Sequence, residues 1–177
     1  MNLKITHPPN PGSKEEYADL QRVIDQYENR IVPENLQKRC DEGMVEMMVE
    51  YLANRGLGID LVKLTRYQKA VIPTIKLLKN YFNRPRPRPT AAKLGIPFSG
   101  DYLETAQSSS YPSGHTIQAY ICAAYCAKIY PEHSVNLFMI ANLVAQSRID
   151  RGVHFPSDIE YGILIASQIS DQVFSGQ

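Results

Sequence analysis

The chain has 177 residues, a formal net charge of +1, and 44% hydrophobic and 21% charged residues. With a mean hydropathy of -0.29 it falls outside the disordered and membrane-embedded classes, and its length suits one well-buried core, read as a single domain over 1–177. The near-neutral charge excludes the basic excess with which nucleic-acid binders gather phosphate contacts, so no nucleic-acid partner is expected.

The segment from His7 to Gly12, with prolines at 8, 9 and 11, reads as extended. A capping box then predicts a helix start, with Ser13 accepting from the backbone at Glu16 while Glu16 reaches back. Met44, Val45, Met47, Met48, Tyr51 and Leu52 recur at helical spacing before a stop at Asn54-Arg55-Gly56, and such a methionine-rich stripe suits a core. A longer helical pattern runs from an N-cap at Asp60 to Phe82 and should kink or split at Pro73.

The alternating Arg84 to Pro89 run ends any helix, and 90–111 reads as a long loop of the kind that forms lids or substrate walls. Three further helices are expected near 115–130, 132–147 and 158–174, the last begun by a capping box of Ser157 and Glu160. The apolar stretches 119–127 and 137–145 are far shorter than the roughly 20 residues that span a bilayer, so no membrane insertion is expected. Strand signals are weak, and the expected fold class is all-α, a compact helical bundle.

Met1 to Pro9 lacks the apolar core and cleavage site of a secretory signal, which points to the cytoplasm, or to the periplasm or secretion if a leader has been removed. Cys40, Cys122 and Cys126 show no framework spacing and read as reduced thiols, with Cys122 and Cys126, one helical turn apart among alanines, as small buried side chains.

Three patches carry the chemistry. Lys79 lies near a helix end with Arg86 just beyond, so a point charge and a planar fork could converge on phosphate oxygens. Viewed alone, the lysine could equally be solvated and the Arg-Pro run a ligand for an aromatic groove. Pro112-Ser113-Gly114-His115 precedes an apolar helix, which aims backbone N–H groups and the positive dipole end where an anion would settle; the bland alternative is a capping turn with a solvent-facing histidine. Arg148 ends a helix, and His154 follows with Asp158 four residues later, a spacing that lets the carboxylate fix one imidazole nitrogen and free the other. No metal-ligand set accompanies this His and Asp pair.

Taken together, Lys79 with Arg86-Pro87, then Pro112-Ser113-Gly114-His115, then Ser147-Arg148 with His154 and Asp158 resemble the three-part signature of the phosphatidic acid phosphatase type 2 superfamily, over about 79–162. That superfamily includes class A bacterial acid phosphatases, lipid phosphate phosphatases and vanadium haloperoxidases, and the flanks look most like the acid-phosphatase branch. The resemblance implies His154 as a nucleophile that becomes phosphohistidine, oriented by Asp158, and His115 as the acid that serves the leaving alcohol. It implies Lys79, Arg86, Ser113, Gly114 and Arg148 as the phosphate cradle, with no metal and no cofactor beyond vanadate as a phosphate mimic. The implied activity is metal-independent hydrolysis of small phosphate monoesters, at a site placed at a rim of the fold. Alternatives are a vanadium-dependent haloperoxidase, a diphosphate or lipid phosphate phosphatase, and a non-catalytic module binding through the Arg-Pro run. A homo-oligomer is compatible with the apolar N-terminal stripes, and Arg84 and Arg88 carry no assigned role.

Overall fold

A computed structural model describes residues 3–176 and places about 70% of the chain in helix, with no strand among the described residues. Met1 and Asn2, the start of the stretch read for a leader, lie outside the described residues, as does Gln177. Among the described residues nine α-helices follow in order: α1 (Lys14–Glu28), α2 (Glu34–Glu42), α3 (Met44–Ala53), α4 (Leu61–Ala70), α5 (Ile72–Phe82), α6 (Pro87–Lys93), α7 (Gly114–Ile129), α8 (Ser134–Asp150) and α9 (Pro156–Ser175). Short 3-10 turns occupy Glu104–Ala106 and Pro131–His133.

Local chemistry sets most of these limits. Ser13 Oγ accepts from the Glu16 amide at 3.1 Å, while Glu16 Oε2 reaches back to the Gly12 amide at 2.7 Å. Asp60 caps α4 by accepting from the Lys63 amide at 2.9 Å. The helical run expected to bend at Pro73 divides at Val71, because proline is tolerated in the first turn of a new helix where its missing N–H costs nothing. Asn83 closes α5 in the left-handed region at φ 46°, a conformation that asparagine tolerates.

The helix α7 is apolar on every side and forms the axis of the bundle, packed most extensively on α8 and α9 and flanked by α3, α4 and α5. Ile117, Ile121, Cys122 and Cys126 are all fully buried, and all three cysteines are free thiols. Cutting a side chain such as Ile121 to alanine would cost about 2–5 kcal/mol, because the bundle cannot collapse into the hole. Met44, Met47, Met48 and Leu52 turn into this same core. A second cluster of Leu20, Val23, Ala91, Ala145, Ile149, Phe155 and Ile159 packs α1 against the other end of α8 and α9.

Three expectations from the sequence need correction, and one helix went unread. The helix α2 was not legible: its two apolar residues, Leu36 and Cys40, make too little periodicity, and it is held by polar contacts instead, with Gln37 Nε2 donating to Asp150 Oδ2 at 2.9 Å. The segment 90–111 is not loop throughout, since the Arg-Pro run supplies a Pro87 that starts α6, and α6 carries the chain to Lys93. The helix expected to end at 147 runs to Asp150. Finally, α9 is not opened by Ser157 and Glu160: it begins at Pro156, the Asp158 carboxylate accepts the Phe155 amide at 2.9 Å, and Glu160 is exposed. No helix among the described residues is long and apolar enough to cross a membrane.

Candidate active site

The three charged patches meet where the C-terminal end of α5, the start of α7 and the turn between α8 and α9 converge. A cavity of about 290 Å³ is lined there by Lys79, Arg86, Gly114, His115 and His154, with Thr105 and Ser108 from the long connection forming one wall. Part of the segment expected to wall in a substrate therefore does line the cavity, whatever its helical start.

His154 stands at the centre. Its Nδ1 lies 3.0 Å from Asp158 Oδ2, and its Nε2 lies 2.9 Å from Arg86 Nη1. A guanidinium only donates, so Nε2 is the acceptor and the ring hydrogen sits on Nδ1, donated to the carboxylate. Burial, reinforced by the charges of Arg86, Lys79 and Arg148, holds the pKa of His154 well below the ordinary histidine value of 6.5. The imidazole is thus neutral, with one lone pair facing the cavity.

The Asp158 carboxylate accepts four hydrogen bonds. Oδ2 accepts from His154, from the Phe155 amide and from Ser110 Oγ, and Oδ1 accepts from Arg84 Nη1 at 2.7 Å. Arg84 also reaches Asp19 Oδ2 at 2.9 Å and stacks 3.7 Å over the Phe155 ring. Arg84 is thus a buried counter-charge behind the site. This bridge from Arg84 to Asp158 and Asp19 was invisible in the sequence because Asp19 lies on α1, far away in the chain. Arg88 is exposed and stays apart from this network.

His154 is 2% exposed and Asp158 is fully buried, so the site is not the rim feature expected, and its floor belongs to the core. The turn from α8 to His154 needs glycine at 152: φ is +68°, and a Cβ would fall 2.6 Å from the Phe98 ring. At Gly114 a Cβ would press against Ile75 at 3.3 Å and face Lys79 Cε at 3.9 Å.

The cations are held by protein oxygens. Lys79 Nζ donates to the Ser109 carbonyl, and Arg86 donates through Nε to the Ser108 carbonyl at 2.8 Å and through Nη1 to the Val153 carbonyl at 2.7 Å. Burial, with Arg86 nearby, brings the Lys79 pKa down to about 7. Arg148, expected in the cradle, is 1% exposed and does not itself line the cavity; its Nη1 donates to Asp41 Oδ1 at 2.7 Å, while its Nε is buried without a partner. Ser113 is likewise fully buried behind Gly114, where its Oγ caps α7 and accepts from Thr116 Oγ1 at 2.9 Å. Of the predicted residues, then, Lys79, Arg86, Gly114, His115 and His154 share the cavity, and Ser113, Arg148 and Asp158 back it.

His115 Nε2 lies 3.0 Å from the Asp41 carbonyl and 3.2 Å from Asp41 Oδ1. Burial and the Arg148 charge lower its pKa, and Asp41 opposes that fall. Asp41 itself was missed with the rest of α2. Among the described residues no three His, Cys, Asp or Glu side chains gather as a metal-binding group.

The PAP2 superfamily profile matches residues 67–170, more than half of the chain. This protein belongs to the PAP2 superfamily. An acid phosphatase of Zymomonas mobilis is 26% identical over 135 residues, covering 72% of this chain and 51% of its own. A non-specific acid phosphatase of Providencia stuartii is 31% identical over 67 residues, covering 38% of this chain and 27% of its own. The chain thus spans about half the length of the first of these relatives and about a quarter of the second. Among solved structures, a transmembrane PAP2-type phosphatidylglycerolphosphate phosphatase from Bacillus subtilis shares the fold, with a TM-score of 0.57 and 22% identity over 93% of this chain and 87% of its own.

Proposed function

We propose that this PAP2 protein hydrolyses phosphate monoesters without a metal, through a phosphohistidine formed on His154. The observation that carries the reading is the state of His154: neutral, its Nδ1–H donated to Asp158 and its Nε2 lone pair turned toward a cavity shared with Lys79, Arg86 and His115. Phosphoryl transfer asks a protein mainly for alignment and for positive charge around the equatorial oxygens, which these residues supply.

In the first step Nε2 attacks phosphorus and the bond to the leaving oxygen breaks, with the proton for that oxygen coming from His115. Arg86 gives up its contact with Nε2 and donates to the phosphoryl group instead, while Lys79 regains full charge beside the dianion. In the second step His115, now neutral, takes a proton from water as the water oxygen attacks phosphorus. The P–N bond breaks, phosphate departs and both imidazoles return to their starting states. The acid-phosphatase relatives support monoesters as substrates, and the cavity of about 290 Å³ suits a small leaving group.

The test is phosphate release from an aryl phosphate, nucleotides, sugar phosphates, diphosphates and a phosphatidylglycerol phosphate in detergent, with vanadate as inhibitor. Wild type is expected to turn over monoesters and to yield an acid-labile, base-stable phosphoprotein on rapid quench. His154→Ala is expected to yield neither product nor phosphoprotein. Full turnover in His154→Ala, or release from the diphosphate or lipid substrates alone, would overturn the reading.

A further inference from the structure

Asp41, in the last turn of α2, lies outside residues 67–170 that carry the family match. Its Oδ1 accepts from Arg148 Nη1 at 2.7 Å and from Thr105 Oγ1 at 2.8 Å. The same oxygen lies 3.2 Å from His115 Nε2, which meets the Asp41 carbonyl at 3.0 Å. A carbonyl only accepts, so the hydrogen of His115 is on Nε2, and Nδ1 is the nitrogen left to serve a ligand. The two imidazoles of the site are therefore backed by carboxylates from opposite nitrogens: Asp158 at Nδ1 of His154, and Asp41 at Nε2 of His115.

Asp41 is not a stand-in for the phosphate. It does not line the cavity, and it engages only Nη1 of Arg148, leaving the buried Nε without a partner. Its side chain is 10% exposed, which leaves little water to screen its charge. The charge of Arg148 and the bond from His115 keep its own carboxyl ionised: burial pushes the pKa up, and those two partners more than reverse the push.

We propose, on the footing of the phosphatase reading above, that Asp41 is a positioning residue: it holds His115 in the tautomer that presents Nδ1 to the leaving oxygen, and it anchors Arg148 by one nitrogen. The charged and titratable groups that face His115 are Asp41 from α2, Arg148 from α8, Lys76 and Lys79 from α5, Arg86 ahead of α6 and His154 ahead of α9. Asp41 alone among them is an anion. Without its charge, burial and the surrounding cations act unopposed, and His115 is protonated only at lower pH.

The test is Asp41→Asn, which keeps an oxygen for Arg148 and His115 but removes the charge, read by two assays. In the NMR titration the His115 ring, assigned by its loss in His115→Gln, is expected to titrate at lower pH than in wild type. In kinetics, kcat/KM for an alkyl phosphate is expected to fall roughly ten- to a hundredfold, the size of one lost charge-assisted hydrogen bond. For 4-nitrophenyl phosphate, whose leaving group needs little protonation, the fall should stay below about threefold. A purely structural role would lower both substrates alike. Equal losses together with an unmoved His115 titration, in a variant whose thermal melt shows it folded, overturn the proposal. If Asp41→Asn does not fold, Asp41→Glu serves: the displaced carboxylate is expected to move the His115 titration and the alkyl to aryl ratio the same way by less, and no movement overturns the proposal. If wild type releases no phosphate from any substrate, the phosphatase reading fails on its own, and the NMR titration still decides whether Asp41 governs His115.

Discussion

Asp158→Asn replaces one oxygen of the carboxylate with an NH2 of the same shape, so its consequences follow from the four donors that surround that group. Arg84 Nη1, 2.7 Å from Oδ1, cannot accept, and it therefore claims the amide oxygen. The NH2 then occupies the place of Oδ2, facing the Phe155 N–H at 2.9 Å and the Nδ1 of His154 at 3.0 Å. Ser110 can rotate its hydroxyl, but the Phe155 amide is left buried without an acceptor, a cost of about 1–3 kcal/mol. For a chain of this size that lowers Tm by roughly 2–12 °C. His154 avoids a second clash only by moving its hydrogen to Nε2, where it confronts Arg86 Nη1 and the lone pair proposed to attack phosphorus is gone. A wrong tautomer of this kind costs about 10⁴-fold in kcat in a Ser-His-Asp triad, and a loss of that order is expected here. Steady-state release of 4-nitrophenol gives the rate, rapid-quench trapping gives the phosphoenzyme, and a circular-dichroism melt reports the fold. A folded variant that keeps kcat within about tenfold of wild type would refute the tautomer argument.

Two further outcomes follow from the same network. Arg84→Met leaves the fully buried Asp158 and the nearly buried Asp19 without their shared cation, which is expected to cost about 3–5 kcal/mol and to lower Tm by roughly 6–20 °C; a change below about 2 °C in a thermal melt would count against it. In the proposed mechanism His154 must be neutral, hence pH above a pKa held well below 6.5, and His115 protonated, hence pH below a pKa that is also lowered, so kcat/KM should peak on the acid side of 6.5. The fall of Lys79 to about 7 adds to the decline at higher pH, since the lysine loses its charge as pH rises through that value. A kcat/KM profile that peaks in the alkaline range would refute this assignment of protonation states.

The chain order of most helices was legible where their boundaries are written locally: Ser13 and Asp60 as caps, Pro73 as a break, and the apolar block after Gly114 as a buried axis. The α2 helix was not legible, because it is stabilised by Gln37 and by Asp150, which gathers Gln26, Val32 and Gln37 from three separated segments. The start of α9 was misread for a related reason. A serine followed three residues later by glutamate matches a capping box, but the carboxylate that closes the turn is Asp158, which serves His154 with the same oxygen.

From the sequence alone follow the all-helical class, the identity of the charged groups and the family they belong to, because residue type and spacing along the chain encode periodicity, capping and signature directly. Packing alone decided which of those groups face the cavity and which stand behind it, and it brought Arg84, Asp19 and Asp41 to the site. The reason is physical: whether a charge is a ligand for substrate or a counter-ion for another side chain depends on burial and on partners within about 3 Å. Those partners, such as Asp19 with Arg84 or Asp41 with Arg148, come from helices far apart in the chain, where no local pattern records them.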